Sequence, residues 1–137
     1  MSQGKIKTLI VEDVIIIQRL LTHILGDRAE CITEANGQSA VKRFSNEYFN
    51  GVPFKLVCLD FFLPEMNGLD ILSYIRSFED EIKLKKEERT KIMMITSVSS
   101  PKTIKHAREM GCDAYIIKPF SIEDIQNELE RLGLVKT

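Results

Sequence analysis

Several absences narrow the field before any motif is read. The 137-residue chain has three cysteines, Cys31, Cys58 and Cys112, far apart and without a Cys-x-x-Cys pair. That excludes a disulfide framework and argues against a zinc site, leaving buried thiols as the expectation. No apolar run approaches the roughly 20 residues of a membrane span, and Met1-Ser2-Gln3-Gly4 does not open a signal peptide. A cytoplasmic protein without a membrane partner is expected. Nineteen basic residues balance twenty acidic ones for a net charge of -1, so there is no broad electrostatic pull toward nucleic acid. Internal repeats and linkers are missing too, and the length fits one domain, 1–137. The 44% hydrophobic and 28% charged fractions are those of a soluble globular protein.

What is present is a repeated punctuation. Lys55-Leu56-Val57-Cys58-Leu59 is an apolar run that stops on Asp60. A carboxylate inside a buried strand would be costly, so Asp60 is placed where the strand surfaces into a polar crevice. Ile6 to Val11 gives way to Glu12-Asp13, Ile92 to Ile95 gives way to Thr96, and Tyr115-Ile116-Ile117 gives way to Lys118. If these runs are parallel neighbours, their C-terminal ends share the sheet edge where open α/β sheets bind ligands. Glu12, Asp13, Asp60, Thr96 and Lys118 would then face one another.

Helical periodicity fills the intervals. Ile17, Leu20, Leu21 and Ile24 mark a first helix face between Val14 and Leu25, stopped by Gly26. Val14, Ile15 and Ile16 are expected in the core, the alternative being an apolar collar beside Asp13 that a partner covers. Ala29 to Ala35 is a weaker strand, nearer the sheet edge, and Asn36-Gly37 signals a turn. Ala40, Val41, Phe44 and Tyr48 give a second helix. Asn67 caps a third, with Ile71, Ile75, Phe78 and Ile82 inward. Ten of the thirteen residues from Glu79 to Lys91 are charged, with Glu79 and Lys83, and Glu81 and Lys85, at four-residue spacing; this predicts a solvated helical extension and turn. Ser99-Ser100-Pro101 opens a fourth helix with Ile104, Ala107 and Met110 inward. Ser121 to Asp124 resembles a capping box, opening a fifth with Ile122, Ile125, Leu129 and Leu132 inward. Five strand-then-helix units predict an α/β doubly wound sheet. His23 and His106 are expected to be ordinary surface or partly buried side chains.

Three carboxylates in one crevice cannot all stay ionised without cations nearby. Lys118 supplies one positive charge, and a divalent metal on oxygen ligands would neutralise the remainder, which is the Mg²⁺ pattern. Such a site would take a phosphoryl group, with Asp60 as nucleophile and Thr96 and Lys118 binding phosphoryl oxygens.

The motifs Val11-Glu12-Asp13, Leu59-Asp60 with Leu63-Pro64-Glu65-Met66-Asn67-Gly68, Met94-Ile95-Thr96-Ser97 and Lys118-Pro119-Phe120 stand in order, each at a strand end. Together they make the chain resemble a receiver domain of the two-component response regulators, of the single-domain, chemotaxis-regulator-like type, from Lys5 to Leu132. The resemblance implies a flavodoxin-like fold with strand order 2-1-3-4-5 and five helices. It makes Asp60 the phosphoacceptor, with Thr96 and Lys118 completing the reactive set. Asp13, Asp60 and the Phe62 backbone carbonyl would bind Mg²⁺, Glu12 acting through metal-bound water. Thr96 and Tyr115 would be the switch pair, and Lys118-Pro119 a cis peptide. The implied donor is a phosphohistidine on a sensor histidine kinase or histidine phosphotransfer protein. The implied output is a changed surface on the fourth helix, last strand and fifth helix that controls a downstream protein target. No enzyme beyond assistance to its own phosphorylation and dephosphorylation is expected, and no effector domain or direct nucleic-acid binding.

Phe62 and Val98 are apolar at positions flanking the reactive group, where the family often has polar side chains, which predicts slow hydrolysis of the phosphorylated form. Three other classes compete. An aspartyl-phosphate phosphohydrolase would want a second aspartate where Phe62 stands. A flavodoxin-like cofactor carrier would want a hydroxyl-rich loop where Glu12-Asp13 stands. A binding module that has lost phosphorylation is argued against by the complete acidic set.

Overall fold

The computed structural model describes residues 4–135. Strands β1 (Ile6–Val11), β2 (Ala29–Glu34), β3 (Leu56–Leu59), β4 (Lys91–Thr96) and β5 (Ala114–Ile117) form one parallel sheet in the order β2-β1-β3-β4-β5. Helices α1 (Ile15–Leu25), α2 (Gly37–Phe49), α3 (Gly68–Glu81), α4 (Pro101–Glu109) and α5 (Ile122–Arg131) alternate with them. This is the predicted flavodoxin-like architecture, with the weak strand Ala29–Glu34 at one edge.

Period-two burial explains why the sheet needs helices on both faces. Ile10, Cys58, Met93 and Ile95 pack toward α1 and α5, whereas Leu9, Val11, Val57, Leu59, Ile92 and Met94 pack toward α2, α3 and α4. Both faces are therefore apolar, and the charged residues are driven to the strand ends. The caps follow the sequence closely: Asn67 and Asp70 exchange side-chain and backbone hydrogen bonds, as do Ser121 and Asp124. Ser100 caps α4, with Pro101 in its first turn. Cys58 and Cys112 are buried and Cys31 is half-buried, all as free thiols.

Some expectations are corrected. Val14, Ile15 and Ile16 are 47%, 63% and 73% exposed, so they form a collar rather than core, and Leu20 is exposed with them. Helix α1 begins only at Ile15, and its inward face is supplied by Ile17, Leu21, Ile24 and Leu25. Asn36-Gly37 turns the chain as expected, with the Asn36 side chain accepting the Ser39 N–H to start α2. Ile122 is exposed, leaving Ile125 and Leu129 to anchor α5.

A further correction concerns Glu79. It is 1% exposed and accepts from Arg76 Nη1 at 2.5 Å and from the Thr90 N–H at 2.9 Å. Arg76 also donates to the Thr90 and Gly111 carbonyls and to Asp113. The expected pairs with Lys83 and Lys85 do not form, since α3 ends at Glu81 and Lys83 turns into the left-handed region at φ 60°. A charge-rich segment thus hides one buried ion-pair network that staples α3 to the starts of β4 and β5.

Candidate functional site

The parallel register brings the predicted residues together. Val11 on β1 pairs with Leu59 on β3, so the next residues, Glu12 and Asp60, leave the sheet side by side. The Asp60 N–H donates to the Val11 carbonyl at 3.1 Å. On β4 and β5, Thr96 pairs with Ile117, and the Lys118 N–H donates to the Thr96 carbonyl at 2.8 Å. Lys118 therefore emerges at the same rim, followed by a cis Lys118-Pro119 peptide, as expected.

At that rim Lys118 Nζ lies 3.0 Å from Glu12 Oε1 and 3.2 Å from Asp60 Oδ2. Asp60 Oδ1 accepts the Phe61 N–H at 2.6 Å and faces the Phe62 N–H at 3.4 Å. Both carboxylate oxygens of Asp60 are thus oriented by the protein. Glu12 is held as firmly, since its Oε2 accepts the Val14 N–H at 3.2 Å. Asp13 stands exposed beside them, and one oxygen from each of Glu12, Asp13 and Asp60 lies within 4.8 Å of the others.

Electrostatics follow from this crowding. Burial pushes the Glu12 carboxyl above its ordinary value; the Lys118 hydrogen bond opposes the rise, and the Asp60 charge adds to it. Burial disfavours a charged Lys118, yet the hydrogen bond to Glu12 and the fields of Asp60 and Glu12 outweigh it, so its pKa lies above the usual lysine value. Three carboxylates against one ammonium leave an excess of negative charge. A divalent cation on hard oxygen donors fits that excess, and no histidine or cysteine joins the group among the described residues.

Thr96 is fully buried, and its hydroxyl oxygen accepts the Val98 N–H at 3.3 Å. The Tyr115 hydroxyl donates to the Val98 carbonyl at 2.7 Å. One residue of the loop after β4 therefore ties both members of the expected switch pair through its backbone. Phe62 is 60% exposed at the mouth of the site, with its ring 5.1 Å from that of Phe61.

Gln18 is not among the residues singled out in the sequence, and Gly68 stands there only as the end of the Leu63–Gly68 motif. Gln18 Nε2 donates to the Glu12 carbonyl at 2.5 Å; a lone amide following three isoleucines on α1 was the available signal. Gly68 lies so close to Asp60 that a Cβ there would fall 2.4 Å from the Asp60 carbonyl oxygen. Its neighbour Asn67 drew attention as a cap and concealed that packing need.

The response regulator receiver domain family matches residues 8–130. A probable transcriptional regulatory protein of Picosynechococcus sp. is 30% identical over 124 residues, covering 88% of this chain and 46% of that protein. The chemotaxis protein CheY of Listeria monocytogenes is 29% identical over 128 residues, covering 92% of this chain and 97% of that one. Among solved structures, the CheX-CheY complex with BeF3 and magnesium from Borrelia burgdorferi aligns with a TM-score of 0.80 at 26% identity, covering 95% of this chain and 90% of that one. The chain spans half or less of the first three curated relatives it matches, 46%, 50% and 4% of their lengths.

Proposed function

The chain belongs to the response regulator receiver domain family of two-component signalling, and we propose that Asp60 is its phosphoacceptor, fed by a phosphohistidine of a sensor histidine kinase or histidine phosphotransfer protein. The observation that carries this reading is Asp60 itself: held from one side by the Phe61 N–H and from the other by Lys118, beside two further carboxylates.

In the transfer an Asp60 oxygen attacks phosphorus, the P–N bond of the donor breaks, and the imidazole departs with the bonding pair. Lys118, already 3.2 Å from Asp60, pairs with an oxygen of the arriving group. Thr96 uses its hydroxyl oxygen as an acceptor toward Val98, which leaves its O–H free to donate to another. Glu12, Asp13, Asp60 and the Phe62 backbone carbonyl would hold Mg²⁺, which supplies the positive charge that offsets the incoming phosphoryl group.

Phosphorylation adds about −1.5 to −2 charge at Asp60. Movement of Thr96 toward that charge pulls on the Val98 N–H, and the Val98 carbonyl passes the shift to Tyr115. The α4-β5-α5 surface then changes its affinity for a downstream protein target; a few kcal/mol of differential binding suffices. The chain acts in the cytoplasm as a switch and catalyses only its own phosphorylation and dephosphorylation.

The test is mass spectrometry after incubation with acetyl phosphate and Mg²⁺. The wild type should gain one phosphoryl group and Asp60→Asn should gain none. Equal labelling of both would refute the assignment.

A further inference from the structure

Helix α4 rests on the sheet through a single fully buried residue, Ala107. So small an anchor leaves a groove between α4 and the start of α3, with a volume near 510 Å³. That volume lies within the range of small-molecule sites. Its apolar side is Phe61 and Leu69, both half-buried, and its other side is Lys102, Thr103, Lys105 and His106.

The cations of the groove are Lys102 and Lys105, both exposed, and Glu109 is the one acid in its lining. Lys102, Lys105 and His106 share a helix face by their three- and four-residue spacing. Neither lysine has an ion-pair partner among the described residues: the nine pairs found there all lie elsewhere. Lys102 also sits in the first turn of α4, the positive end of the helix, where no acidic residue compensates it. Glu109 closes the far end of the groove and repels negative charge there. An occupant is thereby oriented, with an anionic head between Lys102 and Lys105 and an apolar body across Phe61 and Leu69.

We propose that the α3–α4 groove is a binding site for a small organic anion with a flat apolar body, an aromatic carboxylate by class. The occupant would press on Phe61, whose N–H holds Asp60 Oδ1 at 2.6 Å, so binding would also be felt at the rim. That second consequence rests on the function proposed above; binding itself does not.

Titration of isotope-labelled protein with 2-naphthoate, followed by amide NMR, tests the site without any phosphorylation. Shifts confined to Phe61, Leu69, Thr103, His106 and their neighbours are expected. Lys102→Glu should weaken binding about fivefold, Lys102→Arg should retain it, and neutral 2-naphthylmethanol should bind about fivefold more weakly, the size expected for losing an exposed charge contact. Lys102→Glu places an acid at the favourable end of α4, so loss of fold is not the expected cause of lost binding. Shifts centred elsewhere, no shifts at millimolar probe, or equal affinity for the alcohol would overturn the site. Binding by Asp60→Asn as tight as by the wild type would uphold the site whatever becomes of the phosphoacceptor assignment.

Discussion

Replacing Gly68 with alanine tests whether backbone packing holds Asp60 in place. A Cβ at Gly68 would lie 2.4 Å from the Asp60 carbonyl oxygen, 3.0 Å from Phe61 Cα and 3.0 Å from Met94 Cε. Unstrained contacts between heavy atoms begin at about 3.5 Å, so the Asp60 carbonyl must retreat by roughly 1 Å. It cannot swing aside as a side chain can, because the Asp60 N–H is bonded to Val11 and the Phe61 carbonyl accepts the Gly68 N–H at 2.8 Å. Overpacking of this kind costs about 1–3 kcal/mol.

Gly37 supplies the control. It too is the first residue of a helix behind an asparagine cap, so any gain in helix propensity is common to both sites. A Cβ there would meet Met66 Cβ at 2.7 Å and its Cγ and Sδ at 2.9 Å. The Cγ and Sδ of half-buried Met66 can rotate away, while its Cβ gives only as far as the loop that carries it moves, so the clash is milder than at Gly68 but not free. Gly37→Ala should therefore cost about 1 kcal/mol, the low end of the same range. For a chain of this length the melting temperature falls by about 3.5 °C per kcal/mol, so calorimetry should show Gly68→Ala melting about 4–10 °C below wild type and Gly37→Ala falling by less than Gly68→Ala. Since a misplacement near 1 Å can cost about a hundredfold in rate, acetyl phosphate labelling of Gly68→Ala should slow by about that factor. Equal melting temperatures and equal labelling rates for both variants would refute the reasoning.

Glu79→Ala leaves Arg76 with one carboxylate fewer and the Thr90 N–H unsatisfied; urea denaturation should show a loss of about 3 kcal/mol, and Glu79→Gln, which keeps an acceptor, a smaller one. Phe62→Asn combined with Val98→Glu should hasten phosphate release from the labelled protein by placing polar groups that can orient water beside the acyl phosphate; an unchanged rate would refute the expectation that apolar Phe62 and Val98 slow hydrolysis. Burial pushes the Cys58 thiol up to about 12, so native protein should resist alkylation there while unfolded protein labels at all three cysteines. The raised Glu12 carboxyl binds its proton more tightly folded than unfolded, so metal-free stability should fall as pH climbs from the ordinary carboxylate range through the folded pKa. Glu12→Gln should flatten that decline in melting temperature, and a steeper fall in the variant would reverse the sign of the argument.

The sheet and its rim were legible because they rest on local, one-dimensional signals. A strand buried on both faces must be apolar until it surfaces, so Asp60, Glu12, Thr96 and Lys118 announced themselves by interrupting four such runs. Parallel register then left little choice about who meets whom, as Val11 opposite Leu59 shows. What stayed hidden depends on partners far apart in the chain. Glu79 reads as one charge among ten until Arg76, Thr90 and Asp113 converge on the same point. Ile15 and Ile16 read as core because hydropathy carries no direction; only the late start of α1, after the Glu12-Asp13 turn, rotates them outward. Val98 is the most telling case. Its side chain bears on the rate of hydrolysis, yet its backbone joins Thr96 to Tyr115, and a backbone bridge leaves no mark on residue identity. Substitution at Val98 should therefore alter phosphoryl lifetime while sparing the link between the two switch residues. Tyr115→Phe cuts that link at one end, removing the 2.7 Å bond and nothing else of comparable size.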